Sequence, residues 1–147
     1  MRVDEIRQEV RVEAPIERVW EALTSAEHLS KWFGDTAELD LRAGGHASFG
    51  WSEFNDSVAA IIEVVQRPTR FSFRWESLRS TPVEEASTLV EFELTEEGST
   101  TVVRLIESGF AALPETVYSK RFTENASGWS TELADLAEYL TGAGSVA

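Results

Sequence analysis

One amphipathic stretch near the end of the chain, residues 125–140 (NASGWSTELADLAEYL), constrains everything that precedes it. Trp129, Leu133, Leu136, Ala137 and Leu140 recur at helical spacing and form one stripe, while Glu132, Asp135 and Glu138 lie off it. A stripe that opens on tryptophan needs a large apolar surface to lie against. The earlier residues offer one, because short segments alternate apolar and polar side chains with the period of half-buried strands. The expected fold class is α+β: a curved antiparallel sheet of about seven strands wrapped round a long C-terminal helix.

The chain in order supports this. Residues 5–13 alternate, with Ile6, Val10 and Val12 on one side and charged residues on the other. Pro15 suits a first helical position, and Ile16, Val19, Trp20 and Leu23 follow at helical spacing. Ser25 can cap a second short helix carrying Leu29, Trp32 and Phe33, with Gly34 to end it. After Gly34 the period becomes two. Ala37, Leu39 and Leu41 share a face, Ala43, Gly44 and Gly45 make a hairpin turn, and the return strand 46–51 puts Ala47, Phe49 and Trp51 together. Asn55 and Asp56 signal another turn. Strands are expected at 58–66, 70–75, 89–95 and 101–108, with Phe71, Phe73 and Trp75 on one face. Residues 76–86 read as the longest loop, where ligand access tends to reside. Residues 114–122 read as a transition into the final helix. Sequential hairpins make the later strands a meander, and the sheet and helix leave a wedge between them as the candidate binding site.

Length and composition narrow the classes of function. A chain of 147 residues is about one domain, expected at 1–141 with a flexible tail at 142–147. The net charge of −13, from 26 acidic and 13 basic residues, would repel phosphate backbones and anionic lipid surfaces, so neither nucleic acid nor membrane insertion is expected. An acidic face that docks a basic protein partner is the other reading of that charge. No cysteine is present, which removes disulfides, thiol nucleophiles and cysteine-ligated zinc. With no apolar run of eighteen residues and no signal stretch, a cytoplasmic location is expected.

The ordered motifs resemble a known superfamily. Residues 14–24 (APIERVWEALT), Leu29 with 31–34 (KWFG), 39–45 (LDLRAGG), 73–75 (FRW), 107–110 (ESGF) and Gly128-Trp129 with Leu133, Leu136, Tyr139 and Leu140 are similar to SRPBCC proteins, the START, Bet v 1-like and polyketide-cyclase group. More narrowly they resemble the branch named for the homologue of the activator of the heat-shock protein 90 ATPase. The resemblance covers about residues 8–141. It implies a helix-grip fold with an apolar cavity, and relatives that bind lipids, sterols, polyketides or other hydrophobic molecules.

The candidate cavity residues are the aromatics Trp32, Phe49, Trp51, Phe71, Phe73, Trp75, Phe92 and Trp129, with Val103, Leu105, Leu133 and Glu107. About a third of the aromatics are expected to line accessible space, the rest being core. Glu107 continues the face of Val103 and Leu105. It either faces the cavity, where it would orient a ligand hydroxyl or act as acid or base, or pairs with Arg74 or Arg104, or turns outward on a bulge. Gly128 beside Trp129 is expected to allow close approach of the helix to the sheet or to a ligand. His28 and His46 lack ligand spacing, so no metal is expected. No nucleotide motif is present, and no cofactor is expected. Hydrophobic-ligand binding without catalysis ranks first, a chaperone-interacting module second, and an aromatase/cyclase-like enzyme using Glu107 third.

Overall fold

The computed structural model describes residues 3–54, 56–76 and 86–146, the side chains of Phe54 and of residues 142–146 excepted. In chain order the elements are β1 (Glu5–Val12), α1 (Ile16–Thr24), α2 (Ala26–Trp32), β2 (Thr36–Leu39), β3 (His46–Trp51), β4 (Asp56–Gln66), β5 (Arg70–Glu76), β6 (Ser87–Glu97), β7 (Thr100–Ser108) and α3 (Glu115–Val146). Short 3-10 turns occupy Ser52–Phe54 and Phe110–Ala112. Among the described residues seven strands form one antiparallel sheet in the order β1-β7-β6-β5-β4-β3-β2. The meander is as expected, and β1 closes it by pairing with β7, Val10 opposite Val103 and Ile6 opposite Glu107. This is the helix-grip arrangement, with α3 lying against the face that carries Phe71, Phe73, Val90, Phe92, Val103 and Leu105.

Local chemistry moved several boundaries. Pro15 stands just outside α1 as its N-cap, with its carbonyl accepting from the Arg18 and Val19 amides. Ser25 joins the two short helices through its backbone, donating to Glu21 O and accepting from Leu29 N, and its hydroxyl makes no cap bond. The strand expected to carry Leu41 stops at Leu39, and Leu41 is 41% exposed. The turn wins over the alternation here: Arg42 N donates to Asp40 O and Gly45 N to Arg42 O, drawing the chain round. A Cβ on Gly45 would stand 2.0 Å from Asp40 O, so only glycine closes that turn. The turn expected at Asn55 and Asp56 falls partly on Asn55, outside the described residues, as does most of the loop expected at 76–86.

The largest correction is to α3, which starts at Glu115 rather than at 125. Pro114 O accepts from the Val117 and Tyr118 amides and starts the helix. Its first turns have their own stripe, Tyr118, Phe122 and Ala126, packed on Phe110, Leu113 and Ile6. That stripe runs on into Trp129, Leu133, Leu136 and Leu140, which belong to the main core. The helical backbone reaches Val146, through the residues expected to be a tail.

Candidate functional site

A cleft of about 260 Å³ opens where the strand ends meet α3. The sheet contributes Trp51 from the end of β3, Asp56 and Val58 from the start of β4, and Trp75 and Glu76 from the end of β5. Phe33, just past α2, and Phe110 reach it from the loops. The helix contributes Arg121, Glu124, Asn125, Gly128, Trp129 and Glu132, successive positions on one side of α3. Helical spacing of three and four residues places them together.

The walls are rings. Phe33, Trp75 and Trp129 lie nearly parallel, with Phe33 to Trp129 centroids at 5.5 Å and 14°, and Trp75 to Trp129 at 5.5 Å and 22°. Trp51 stands across them, 5.2 Å from Phe33 at 69°. Such offset-stacked and edge-on contacts suit the ring quadrupoles.

Behind these rings Glu107 is fully buried and holds them. Trp129 Nε1 donates to its Oε1 at 2.8 Å, and Trp75 Nε1 to its Oε2 at 2.9 Å. The Thr88 hydroxyl donates to Oε2 at 2.5 Å, and the Asn125 amide lies 3.1 and 3.0 Å from the two oxygens. Four donors thus occupy the roughly four acceptor positions of a carboxylate. Neither expected arginine is its partner: Arg74 Nε donates to Glu63 and Arg104 Nε to Glu9. The face pattern did turn Glu107 inward, as alternation from Val103 and Leu105 requires.

Of the eight candidate aromatics, Trp51, Trp75 and Trp129 line the cleft. Trp32, Phe49, Phe71, Phe73 and Phe92 surround a second space of only about 10 Å³, room for about one water at most. Trp32 is held by donating Nε1 to Ala22 O at 2.8 Å, tying α2 to α1. Val103, Leu105 and Leu133 are buried core residues that touch neither space. Gly128 has nothing within 4 Å of where a Cβ would lie, so it makes no close approach to the sheet and borders the cleft instead.

Sequence reasoning missed Phe33, Asp56, Val58, Glu76, Phe110, Arg121, Glu124, Asn125 and Glu132 on the cleft, and Thr88 behind it. Three of the helix positions carried a signal, since Asn125, Gly128 and Glu132 recur at helical spacing beside the apolar stripe. Glu132 is the electrostatic exception of the site. Burial, and then the neighbouring Asp135, push its carboxyl up to about 7, and its Oε2 is out of solvent without a hydrogen-bond partner among the described residues. His28 Nδ1 lies 2.7 Å from the Tyr139 hydroxyl, linking α2 to α3. No group of three or more potential metal ligands occurs among the described residues, and none of their helices is long and apolar enough to cross a membrane.

The model of the family described as "Activator of Hsp90 ATPase homolog 1-like protein" matches residues 13–141. Among solved structures, DynU16 from the dynemicin biosynthetic locus is 25% identical with a TM-score of 0.78. That match covers 95% of this chain and 48% of DynU16, so the chain spans about half of that protein's length. The Aha1 dimer from Colwellia psychrerythraea is 19% identical with a TM-score of 0.76, covering 94% of this chain and 96% of that one. An HSP90 activator from Plasmodium falciparum is 19% identical with a TM-score of 0.71, covering 95% and 97%. The last two are likenesses of fold. No curated protein sequence matches the chain at a significant level.

Proposed function

Because the chain belongs to the Activator of Hsp90 ATPase homolog 1-like family, within the SRPBCC superfamily, we propose that it binds a small hydrophobic molecule between the sheet and α3. The observation that carries this reading is the ring-walled cleft of about 260 Å³, with Phe33, Trp51, Trp75 and Trp129 on its walls. Pockets for drug-sized ligands begin at about 300 Å³, so a molecule of one or two rings suits the space better than a sterol or long lipid. Binding would come mainly from apolar burial, at about 25 cal/mol per Å². The interior aromatics Phe49, Phe71, Phe73 and Phe92 would serve as the packed floor. We assign Glu107 no acid or base role, because its oxygens are occupied by four donors.

Native mass spectrometry of protein purified from its source, followed by a thermal-shift screen of aromatic and polycyclic compounds, tests the reading. A copurifying small molecule is the expected result. A ligand at a hundred times its dissociation constant should add about 2.7 kcal/mol, which raises the melting temperature of a domain of this size by about 5–10 °C. A bare-chain mass together with no shift from any compound would remove the proposal.

The charge carries a second reading. An excess of acidic residues on a member of this family would suit docking to a chaperone ATPase wherever that partner presents a basic surface. Such an association would weaken as salt rises. Unchanged ATPase turnover of the purified chaperone, with no complex formed at low salt, would eliminate it.

A further inference from the structure

We infer that the molecule bound in the cleft is a cation, an aromatic compound of one or two rings bearing a protonated amine. This rests on the reading of the cleft as a ligand site and adds the charge of its occupant. The first support is the balance of the lining. Among the described residues Asp56, Glu76, Glu124 and Glu132 stand on it against one basic residue, Arg121, a balance that disfavours an anionic head group such as a fatty-acid carboxylate. The second is the wall chemistry. Faces of indole and phenyl rings attract cations, indole most strongly. Trp75 and Trp129 turn much of their faces to each other and to Phe33, so Trp51, half-buried and edge-on to Phe33, is the indole of the wall with the most surface left for a cation. Glu107 itself is saturated by its donors and leaves the role of counter-charge to the rim.

The third support is Glu132. It lies one helical turn from Trp129 on the same wall, and its Oε2 has no hydrogen-bond partner among the described residues. With a rotation of this partly exposed carboxylate into the cleft, an ammonium group there would gain both a hydrogen bond and a charge pair. An ammonium there would also draw the raised carboxyl of Glu132 back to its ionised form.

Isothermal titration of the whole chain at about pH 8 with three matched probes tests this: 1-naphthylmethylamine, 1-naphthylmethanol and 1-naphthoic acid. The amine should bind at least about tenfold more tightly than the alcohol, and the acid most weakly. Glu132→Gln should cut amine affinity about fivefold or more and leave alcohol affinity unchanged, while melting no lower than the wild type. Equal or tighter binding of the alcohol, or an amine affinity indifferent to Glu132→Gln, would overturn the cation and leave the hydrophobic site standing. Binding of none of the three would overturn the ligand site and this inference with it.

Discussion

Replacing Glu107 with leucine is the sharpest test of how the site is held. The side chains are similar in size, so Glu107→Leu leaves little cavity and isolates the polar contribution. Exchanging a whole buried ion pair for hydrophobic residues is often neutral, because donor and acceptor leave together. Here only the acceptor leaves. Of the four stranded donors, Trp75 Nε1 retains Thr88 Oγ1 at 3.1 Å, and the partly buried Asn125 amide can reach solvent. The Trp129 N–H and the Thr88 hydroxyl proton keep no other partner among the described residues. An unsatisfied buried donor costs about 1–3 kcal/mol, so two of them cost about 4 kcal/mol. At about 2–4 °C per kcal/mol, the melting temperature should fall by about 8–16 °C. Calorimetry reads the loss, and amide-type NMR spectra should show the indole N–H resonances of Trp75 and Trp129 moving together. A variant as stable as the wild type, or more stable, would refute the claim that this carboxylate ties the sheet to α3.

Two further perturbations probe the rim and its approach. Glu132 has a carboxyl raised from 4.5 to about 7, so between those pH values the folded chain keeps a proton that the unfolded chain has lost, and stability falls as pH rises through the window. The full shift corresponds to about 3.4 kcal/mol, which the partial exposure of the side chain reduces to about 1–2 kcal/mol. After burial, Asp135 on α3 is the charge that raises the Glu132 carboxyl further, while Arg121 and Glu124 on α3, Asp56 on β4 and Glu76 on β5 line the same cleft. Glu132→Gln should therefore melt several degrees above the wild type at about pH 8 and nearly with it at about pH 4.5; the same gap at both would discount burial as the cause. Gly34→Ala should cost about 1–3 kcal/mol or more, because Gly34 sits at φ +73° and a Cβ would stand 2.3 Å from Gly50 O, a backbone atom that cannot swing aside. Denaturant titration measures it, and an unchanged midpoint would mean that the segment placing Phe33 against Trp51 is looser than described.

How far the chain could be read from its residues depended on the range of the interaction. Alternation with period two found the strands and put Phe71, Phe73 and Trp75 on the buried face, because side-chain direction in a strand is a local property. It failed at Leu41, where the turn through residues 40–45 overrode a pattern that continued on paper. It also passed over the first turns of α3, although Tyr118, Phe122 and Ala126 have helical spacing, since their partners Ile6 and Phe110 lie far off in sequence or in another element. Glu107 stood out as a charge on an apolar face. Its donors lie 18 to 32 positions away, and nothing local names them. Trp32 and Phe33 show the same limit. One residue past the end of α2 the backbone leaves the helix, at φ −116° and ψ 87°, and Phe33, itself a core residue, borders both the cleft and the inner space while Trp32 borders only the inner one.

The placement of the buried carboxylate bears on binding as well as stability. Trp75 comes from β5 and Trp129 from α3, elements joined by no turn, and Glu107 on β7 reaches both from behind. Their rings are therefore set 5.5 Å apart before any ligand arrives. Ordering side chains on binding costs about 0.5–1.5 kcal/mol for each, and walls already fixed by hydrogen bonds avoid much of that cost. No hydrogen bond joins Glu124 or Glu132 to this network among the described residues, so their charge can change without removing a bond that holds the walls. Under the proposed binding, a fold divided in this way would separate the work of holding a flat apolar molecule, assigned to Glu107 and the rings it anchors, from the work of choosing among such molecules, assigned to the carboxylates at the mouth.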